Sequence, residues 1–323
     1  MVRKHPKRSL LVLLSVVLGV SALYLLVGSH PEDPKLLRYI LSRRLPTLAV
    51  MLIASLAVGS CSIIFQTVAN NRIVTPSLLG MGSMYTLIHT AVVFVLGTAH
   101  PLVTDANLSF LIDLALMALA ASTVYSHVFR ITGSNLLYIL LIGTVLSSLF
   151  GSIQSSMIRI MDPGDYDTLL TALVADFTNV NTEVMVISLI LLAALAFWLR
   201  KDLRLLDVIA LGKDQAVNLG VDYNKTVRRL LLGVALCISV ATAMVGPLSF
   251  LGLIVANLSR QITKTYRHSF LIPGAALIAM AAVITGQIIS QHIFHYTVPI
   301  STLVTIGGGI YFLYLLLFKK GGI

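Results

Sequence analysis

The sequence carries too little charge to cover the surface of a soluble globule. Only 11% of its 323 residues are Asp, Glu, Lys or Arg, whereas 57% are hydrophobic, and in soluble domains about a quarter of the residues are charged. The hydrophobic residues form continuous runs, as membrane-spanning helices require, and not the short alternating segments of a membrane barrel. The composition therefore predicts an all-α, polytopic membrane protein.

Catalytic and metal-binding motifs are also missing. Cys61 and Cys237 lie in apolar runs without CxxC or His-rich spacing, which argues against disulfides and against a zinc site. The chain has no Walker A motif, no G-x-S-x-G and no H-E-x-x-H. His292 and His295 are spaced to share a helix face, but no neighbouring carboxylate completes a metal site. We therefore expect a chain that is not an enzyme and binds no cofactor, with ATP and magnesium held by another subunit.

What the sequence does contain is a series of apolar runs bounded by charge, proline or glycine. We expect them to form ten transmembrane helices within a single domain over residues 1–323. The eighth run, beside Gly246 and Pro247, is short and needs burial among other helices, where its backbone polar groups find partners. The spans are predicted at 9–28, 46–68, 76–97, 106–128, 135–157, 181–199, 229–246, 249–262, 271–291 and 299–318.

The net charge of +10 is divided unevenly between the two sides of this predicted bundle. With the N-terminus inside, eighteen of the 23 Lys and Arg residues fall on the inner side and five on the outer side. The positive-inside rule then places both termini in the cytoplasm, together with the long polar segment 200–229. The charge reflects membrane topology, so we expect lipids as surroundings and no nucleic-acid partner.

Ionisable residues within the spans are scarce, which bears on how transport would be driven. Ion-coupled carriers usually place several such groups along their pathway, and here Asp113 is the single acid within a predicted span. We interpret Asp113 as a structural, hydrogen-bonded residue. An ion-coupled secondary transporter or a channel stays the alternative from another class, but the scarcity favours an external energy source.

Small residues recur at helix-packing spacing in the fifth and tenth spans. Such residues let helix backbones approach closely in a bilayer. One interpretation is packing within the bundle, and the other is a subunit interface or a pore wall of small side chains. The residues are Gly143, Ser147, Gly151 and Ser155 in the fifth span and Gly307, Gly308 and Gly309 in the tenth.

Four stretches of the sequence form a joint pattern. They are RLPTLAVMLIASLAVGSCSIIFQTVANNRIVTPSLLG at 44–80, ALG and NLGV in the polar segment, GPLSFLGLIVANLSR at 246–260, and VPISTLVTIGGGIYFLYLL at 298–316. As a set and in this order they resemble the FecCD-type permeases of iron-siderophore and vitamin B12 ABC importers. The resemblance spans nearly the whole chain.

This resemblance implies a type II ABC-importer permease in a bacterial inner membrane, working by alternating access. It implies as partners a second permease subunit, ABC ATPase subunits and a periplasmic or lipoprotein substrate-binding protein. The implied cargo is a ferric siderophore, with vitamin B12 or haem as alternatives that the sequence does not separate.

The resemblance also implies roles for two groups of residues on the cytoplasmic side. Asn71, Arg72 and Ile73 match the turn that forms the cytoplasmic gate. Arg72 stands where most of the family has proline. At this position the sequence resembles the branch whose permeases pair with a different permease chain. Coupling to the ATPase is implied for residues of the polar segment 200–229, namely Gly212, Leu219, Gly220, Val221, Arg228 and Arg229.

Four of the five basic residues on the predicted outer side, where positive charge is disfavoured, lie close together in the sequence: Lys35, Arg38, Arg43 and Arg44. Either they anchor the second helix at the membrane interface, or they form a docking patch for carboxylates of an extracytoplasmic protein. The resemblance matches Arg44 to the family's first docking arginine. Thr47 and Gln291 replace two further arginines of that pattern.

The chain departs from the family pattern at two further places, where no role is carried over. Before Arg260, Ala256 and Asn257 stand where the family has Pro-His. Further along the chain, Arg267, His268 and Ser269 stand where the family has Asp-His-Arg.

Overall fold

The computed structural model describes residues 6–28, 34–132, 136–175, 177 and 181–318, and the regular secondary structure in these ranges is helical. A helix satisfies its backbone polar groups internally, which is what long apolar runs require in a bilayer. The α-helices are α1 (Pro6–Leu26), α2 (Pro34–Val68), α3 (Met81–Leu96), α4 (Pro101–Thr104), α5 (Ala106–Ile131), α6 (Leu136–Ile160), α7 (Pro163–Ala172), α8 (Thr182–Leu203), α9 (Leu206–Ile209), α10 (Lys213–Asn218), α11 (Tyr223–Val245), α12 (Leu251–Thr263), α13 (His268–His292) and α14 (Ile300–Phe318), with a 3₁₀ helix at Pro76–Leu79.

Each of the ten predicted spans coincides with one of the longer helices, namely α1, α2, α3, α5, α6, α8, α11, α12, α13 and α14. Within the described ranges, seven helices are long and apolar enough to cross a membrane by themselves. The eighth span is α12, which is 13 residues long, so the expectation of a short helix is confirmed. Its buried residues, Leu251, Leu253 and Val255 among them, show the burial that a short helix needs.

The loop within the polar segment 200–229 is shorter than the sequence indicated. Helix α8 continues through Leu203 and α11 already begins at Tyr223, so only residues 204–222 connect them. Asp222 caps α11 by accepting a hydrogen bond from the Lys225 backbone N–H (3.2 Å). The prediction treated charge as the end of a helix, but charged residues extend membrane helices into the aqueous phase at low cost.

Helix α2 likewise begins earlier than predicted, at Pro34 in place of residue 46. Pro46 lies inside it, although proline removes one backbone hydrogen bond from a helix interior. The four outer basic residues therefore lie along the first three turns of a continuous helix and not in a loop.

The centre of the molecule is formed by α2, α11 and α13. Gly59 permits the closest approach, because a Cβ on it would lie 2.8 Å from the Ala275 carbonyl oxygen and 2.9 Å from Ala276 Cα. The residues of α2 from Met51 to Val68 are mostly buried. By contrast, α1, α6 and α8 leave most of their apolar surface exposed, as expected of helices that face lipid or another subunit.

The row of small residues on α6 divides between two faces. A Cβ on Gly143 would meet the Leu78 carbonyl oxygen and lie 3.1 Å from Leu79 Cα, so this glycine packs against the 3₁₀ helix. A Cβ on Gly151 would have no described atom of a neighbouring segment within 4 Å, and Ser155 is exposed. The half around Gly143 therefore packs within the bundle, as the first interpretation predicts, and for the half around Gly151 and Ser155 the second interpretation stays a prediction.

This division predicts opposite results for two matched substitutions. Gly143→Ala should destabilise the fold by about 1–3 kcal/mol, since added volume in a packed interior forces backbone shifts. Gly151→Ala should leave stability unchanged or slightly higher, because alanine favours a helix over glycine. The measurement is the unfolding midpoint of each purified variant in detergent. Equal midpoints for the two variants would show that α6 does not pack on the 3₁₀ helix.

Candidate functional site

The predicted gate residues Asn71, Arg72 and Ile73 lie in a turn, residues 69–75. Three side-chain amides hold this turn. Gln66 Nε2 and Asn257 Nδ2 both donate to the Arg72 carbonyl oxygen, at 2.9 and 3.0 Å. Asn71 Oδ1 accepts a hydrogen bond from the Ile73 N–H (2.9 Å), which stabilises the turn locally. Because Asn257 belongs to α12, the turn is tied to a neighbouring helix and not only to α2.

A chain of hydrogen bonds joins this region to the segment 204–222. Asp207 Oδ1, in α9, accepts from the His268 backbone N–H (2.9 Å) and lies 2.5 Å from His268 Nδ1. On its other side, the His268 ring places Nε2 2.7 Å from Thr67 Oγ1, near the end of α2. His268 is buried, with 4% of its surface exposed. A single imidazole therefore connects α9, α13 and α2, directly before the 69–75 turn.

The segment 204–222 also presents apolar side chains to the outside. Leu211, Val217 and Leu219 are 60%, 52% and 62% exposed, and Ala216 between them is buried. Gly212 and Gly220 have φ values of +94° and +81°, a conformation that favours glycine and lets the chain turn sharply at both ends of α10. An exposed apolar group on a short helical segment is typical of a protein contact surface.

The two arginines predicted to couple to an ATPase differ in their surroundings. Arg228 is exposed. Arg229 Nε lies 3.4 Å from Asp202 Oδ2, and its guanidinium lies over the Trp198 ring at 5.5 Å. Arg229 therefore joins α11 to α8 within this chain, whereas Arg228 is accessible to a partner.

The predicted docking residues lie at the opposite end of the bundle, and Arg44 has an internal role there. Its Nη1 donates to the carbonyl oxygens of Tyr24 (2.9 Å), Leu25 (3.1 Å) and Val27 (2.6 Å). The last carbonyls of a helix have no partner within it and carry partial negative charge, which a guanidinium satisfies well. Arg44 therefore caps the C-terminal end of α1.

The neighbouring positions on α2 face outward. Lys35, Arg38 and Arg43 are exposed along the same helix. They form the accessible part of the predicted docking patch.

Asp113 is confirmed as a hydrogen-bonded residue. Its Oδ2 lies 2.7 Å from His89 Nδ1, and Asp113 and His89 are 3% and 7% exposed. Tyr85 stacks on the His89 ring with the centroids 5.8 Å apart. Its partner comes from α3, 24 residues earlier in the sequence.

The interpretation of His292 and His295 is also changed by the backbone. Helix α13 ends at His292, and His295 has a φ of +50° beyond it, so the two imidazoles do not share a helix face. In the part of the chain that the structure describes, no cluster of three or more His, Cys, Asp or Glu residues is arranged to hold a metal ion.

The outward face of α6 carries a row of hydroxyl groups among aliphatic side chains. Thr144, Ser148, Ser152 and Ser156 are exposed, and each hydroxyl donates to a carbonyl three or four residues earlier, at 2.8–3.2 Å. The hydroxyl protons are thus satisfied within the helix, while the oxygens stay accessible. Such a surface is smooth and weakly polar, which is unlike a purely lipid-facing helix.

Sequence reasoning missed the residues that connect these regions. Asp207, His268, Thr67 and Asn257 are far apart in sequence and meet only through the packing of α2, α9, α12 and α13. One signal was available, since a buried span that ends in Gln66–Thr67 and a helix that starts with His268 both place polar groups at the predicted cytoplasmic side.

Comparisons with known proteins agree with this architecture. A family model described as the FecCD transport family matches residues 9–318. The petrobactin import system permease protein YclO of Bacillus subtilis is 39% identical over 279 residues, covering 86% of this chain and 89% of that protein. The petrobactin import system permease protein FatC of Bacillus anthracis is 31% identical, covering 98% and 91%.

A solved structure shares the fold. It is an inward-facing ABC transporter described as metal-chelate type, with a TM-score of 0.83 and 21% identity, covering 97% of this chain and all of that one. The type II ABC-importer permease fold expected from the sequence is confirmed.

The geometry around Arg44 predicts a stability role that Arg43 does not share. Arg44→Met should lower the free energy of unfolding by about 1–2 kcal/mol, because charge-assisted hydrogen bonds to the α1 carbonyls are lost. Arg43→Met, one residue away and exposed, should change it by less than about 0.5 kcal/mol. Unfolding midpoints in detergent compare the two, and similar midpoints would rule out the capping role.

Proposed function

This chain belongs to the FecCD transport family, and from that premise we propose that it is the permease subunit of an ATP-driven importer of ferric siderophores. The observation that carries the cargo class is the match to two petrobactin import permeases over most of each chain. The single permease domain would sit in a bacterial inner membrane with both termini in the cytoplasm, as the distribution of basic residues indicates. Vitamin B12 and haem stay as alternative cargoes.

A partner ATPase would bind the segment 204–222 from below. Leu211, Val217 and Leu219 supply exposed apolar surface, and Arg228 adds an exposed charge at the rim. Interfaces combine such an apolar centre with a polar rim. Gly220 and Val221 set the turn that leads into α11, so movement of the segment would be passed to that helix.

Movement of this segment would reach the gate through His268. Asp207 moves with α9, and its two hydrogen bonds to His268 pass the displacement to the start of α13. On the other side of the ring, Nε2 contacts Thr67 Oγ1, one helical turn before Asn71. Alternating access then requires two arrangements of the 69–75 turn. The nucleotide cycle of the ATPase would stabilise first one arrangement and then the other.

The pathway itself would lie along the hydroxyl row of α6, against a second permease subunit. Polar groups at membrane depth usually face another protein segment or a water-filled cavity. A bulky chelate passes more easily along small, weakly binding side chains than along strongly charged ones. Arg72 resembles the branch with two different permease chains, which favours a paralogous partner.

At the upper end, an extracytoplasmic substrate-binding protein would dock on Lys35, Arg38 and Arg43. Arg44 retains a place at this surface, but its guanidinium is already engaged with α1. The main contribution of Arg44 to docking is therefore to hold α1 and α2 together beneath the patch.

The proposed function predicts how a double variant of the coupling segment behaves. The complete transporter is reconstituted in proteoliposomes, and ATP-dependent uptake of a ferric siderophore is measured. Leu219→Asp combined with Arg228→Glu should reduce uptake at least about tenfold, because buried charge and inverted rim charge both weaken an interface. Arg130→Glu, an exposed charge at the end of α5, should leave uptake near the parent level.

Two results would contradict the proposal. Unchanged uptake in the double variant would remove the coupling role from the segment 204–222. Uptake by this chain alone, driven by a proton or sodium gradient without ATP, would establish the secondary-transporter alternative.

A further inference from the structure

A cavity of about 700 Å³ opens at the lower end of the bundle, beside the 69–75 turn. It lies between the end of α2, the end of α12 and the start of α13. Its wall includes Gln66, Arg72, Arg260, Lys264, Tyr266 and His268. Gln66, Arg72 and His268 also belong to the turn and to the hydrogen-bond chain described above.

Three cationic side chains share the wall of this cavity. Arg72 belongs to the 69–75 turn, whereas Arg260 and Lys264 lie one turn apart at the end of α12. Among the described residues lining the cavity there is no Asp or Glu. None of these three cations forms an ion pair with a described acid. Like charges facing one space repel unless an anion lies between them.

Buried polar atoms in the wall also lack partners. Arg260 Nε is inaccessible to solvent and makes no hydrogen bond within the described chain, and the same holds for Gln66 Oε1. Gln66 is 2% exposed, and its Nε2 is already bound to the Arg72 carbonyl. Buried polar atoms without a protein partner usually belong to a site for water or a ligand.

From these observations we infer that the cavity is a binding site for an oxyanion, a phosphate or carboxylate group. Two guanidinium groups and an ammonium group give the donor set that such anions prefer. Arg72 and Lys264 are exposed and Arg260 is half-buried, and all three line one concave space.

The position of the site ties its occupant to the gate. Arg72 belongs to the 69–75 turn and Arg260 to α12, and the two segments are otherwise joined by Asn257. An anion between the two guanidinium groups removes their repulsion and stabilises the arrangement in which the turn lies against α12.

The anion has two possible sources, a soluble phosphate or carboxylate compound and the headgroup of an anionic lipid. The test uses the complete transporter in nanodiscs made only of phosphatidylcholine, into which inorganic phosphate is titrated. The unfolding midpoint of this chain is followed, because a ligand that binds the folded state raises it. A second set of nanodiscs contains phosphatidylglycerol and no phosphate.

The variant Arg72→Gln with Lys264→Gln should raise the dissociation constant for phosphate at least about tenfold, since two of three cations are lost. Lys264→Gln alone, at an exposed position, should raise it several-fold. Arg267→Gln is the matched control, because Arg267 is exposed at the same end and does not line the cavity.

Each outcome decides the inference. A midpoint that rises with phosphate in the parent and in Arg267→Gln, but not in the double variant, establishes a site for a soluble oxyanion. A rise with phosphatidylglycerol only, lost in the double variant, establishes a headgroup site. No rise with either ligand, or an equal loss in Arg267→Gln, overturns the inference.

Discussion

One buried imidazole links the segment 204–222 to the end of α2, directly before the 69–75 turn. His268 holds Asp207 of that segment on one side and Thr67 of α2 on the other. Hydrogen bonds inside a protein are directional and stronger than at a wet surface, because the local dielectric constant is low. A displacement of α9 therefore has a specific route to the turn at 69–75. Packing of apolar side chains alone would allow sliding between the helices and would transmit such a movement less faithfully.

The rest of the molecule provides a frame in which this connection can act. Helices α2 and α13 approach closely at Gly59, where an added Cβ would lie against the Ala275 carbonyl, and α11 packs on α2 beside them. The lower end differs, since the 69–75 turn is held by a few amide groups and lies beside a cationic cavity. In the proposed function, this turn is the bistable element that the nucleotide cycle of the ATPase shifts.

Much of the fold could be predicted from the sequence, because membrane spans follow from length and hydrophobicity. Each of the ten predicted spans corresponds to a helix, and the short eighth helix was expected from Gly246 and Pro247. Their ends were misjudged at Leu203, Tyr223 and Pro34, since charge does not end a helix that emerges from the bilayer. The candidate site was less accessible to sequence reasoning. The turn at Asn71 could be predicted from family resemblance, but the connection through His268 depends on α2, α9 and α13 meeting in space.

The central claim is tested most directly by the number of chelates transported per ATP hydrolysed in the complete transporter carrying His268→Leu. This substitution leaves few unsatisfied groups, because Thr67 still donates to the Ile63 carbonyl (2.8 Å) and the Asp207 side chain is 44% exposed. We expect assembly and ATP hydrolysis to persist while the transport ratio falls at least about tenfold, as two buried hydrogen bonds are lost. A ratio equal to that of the parent would contradict the coupling role of His268.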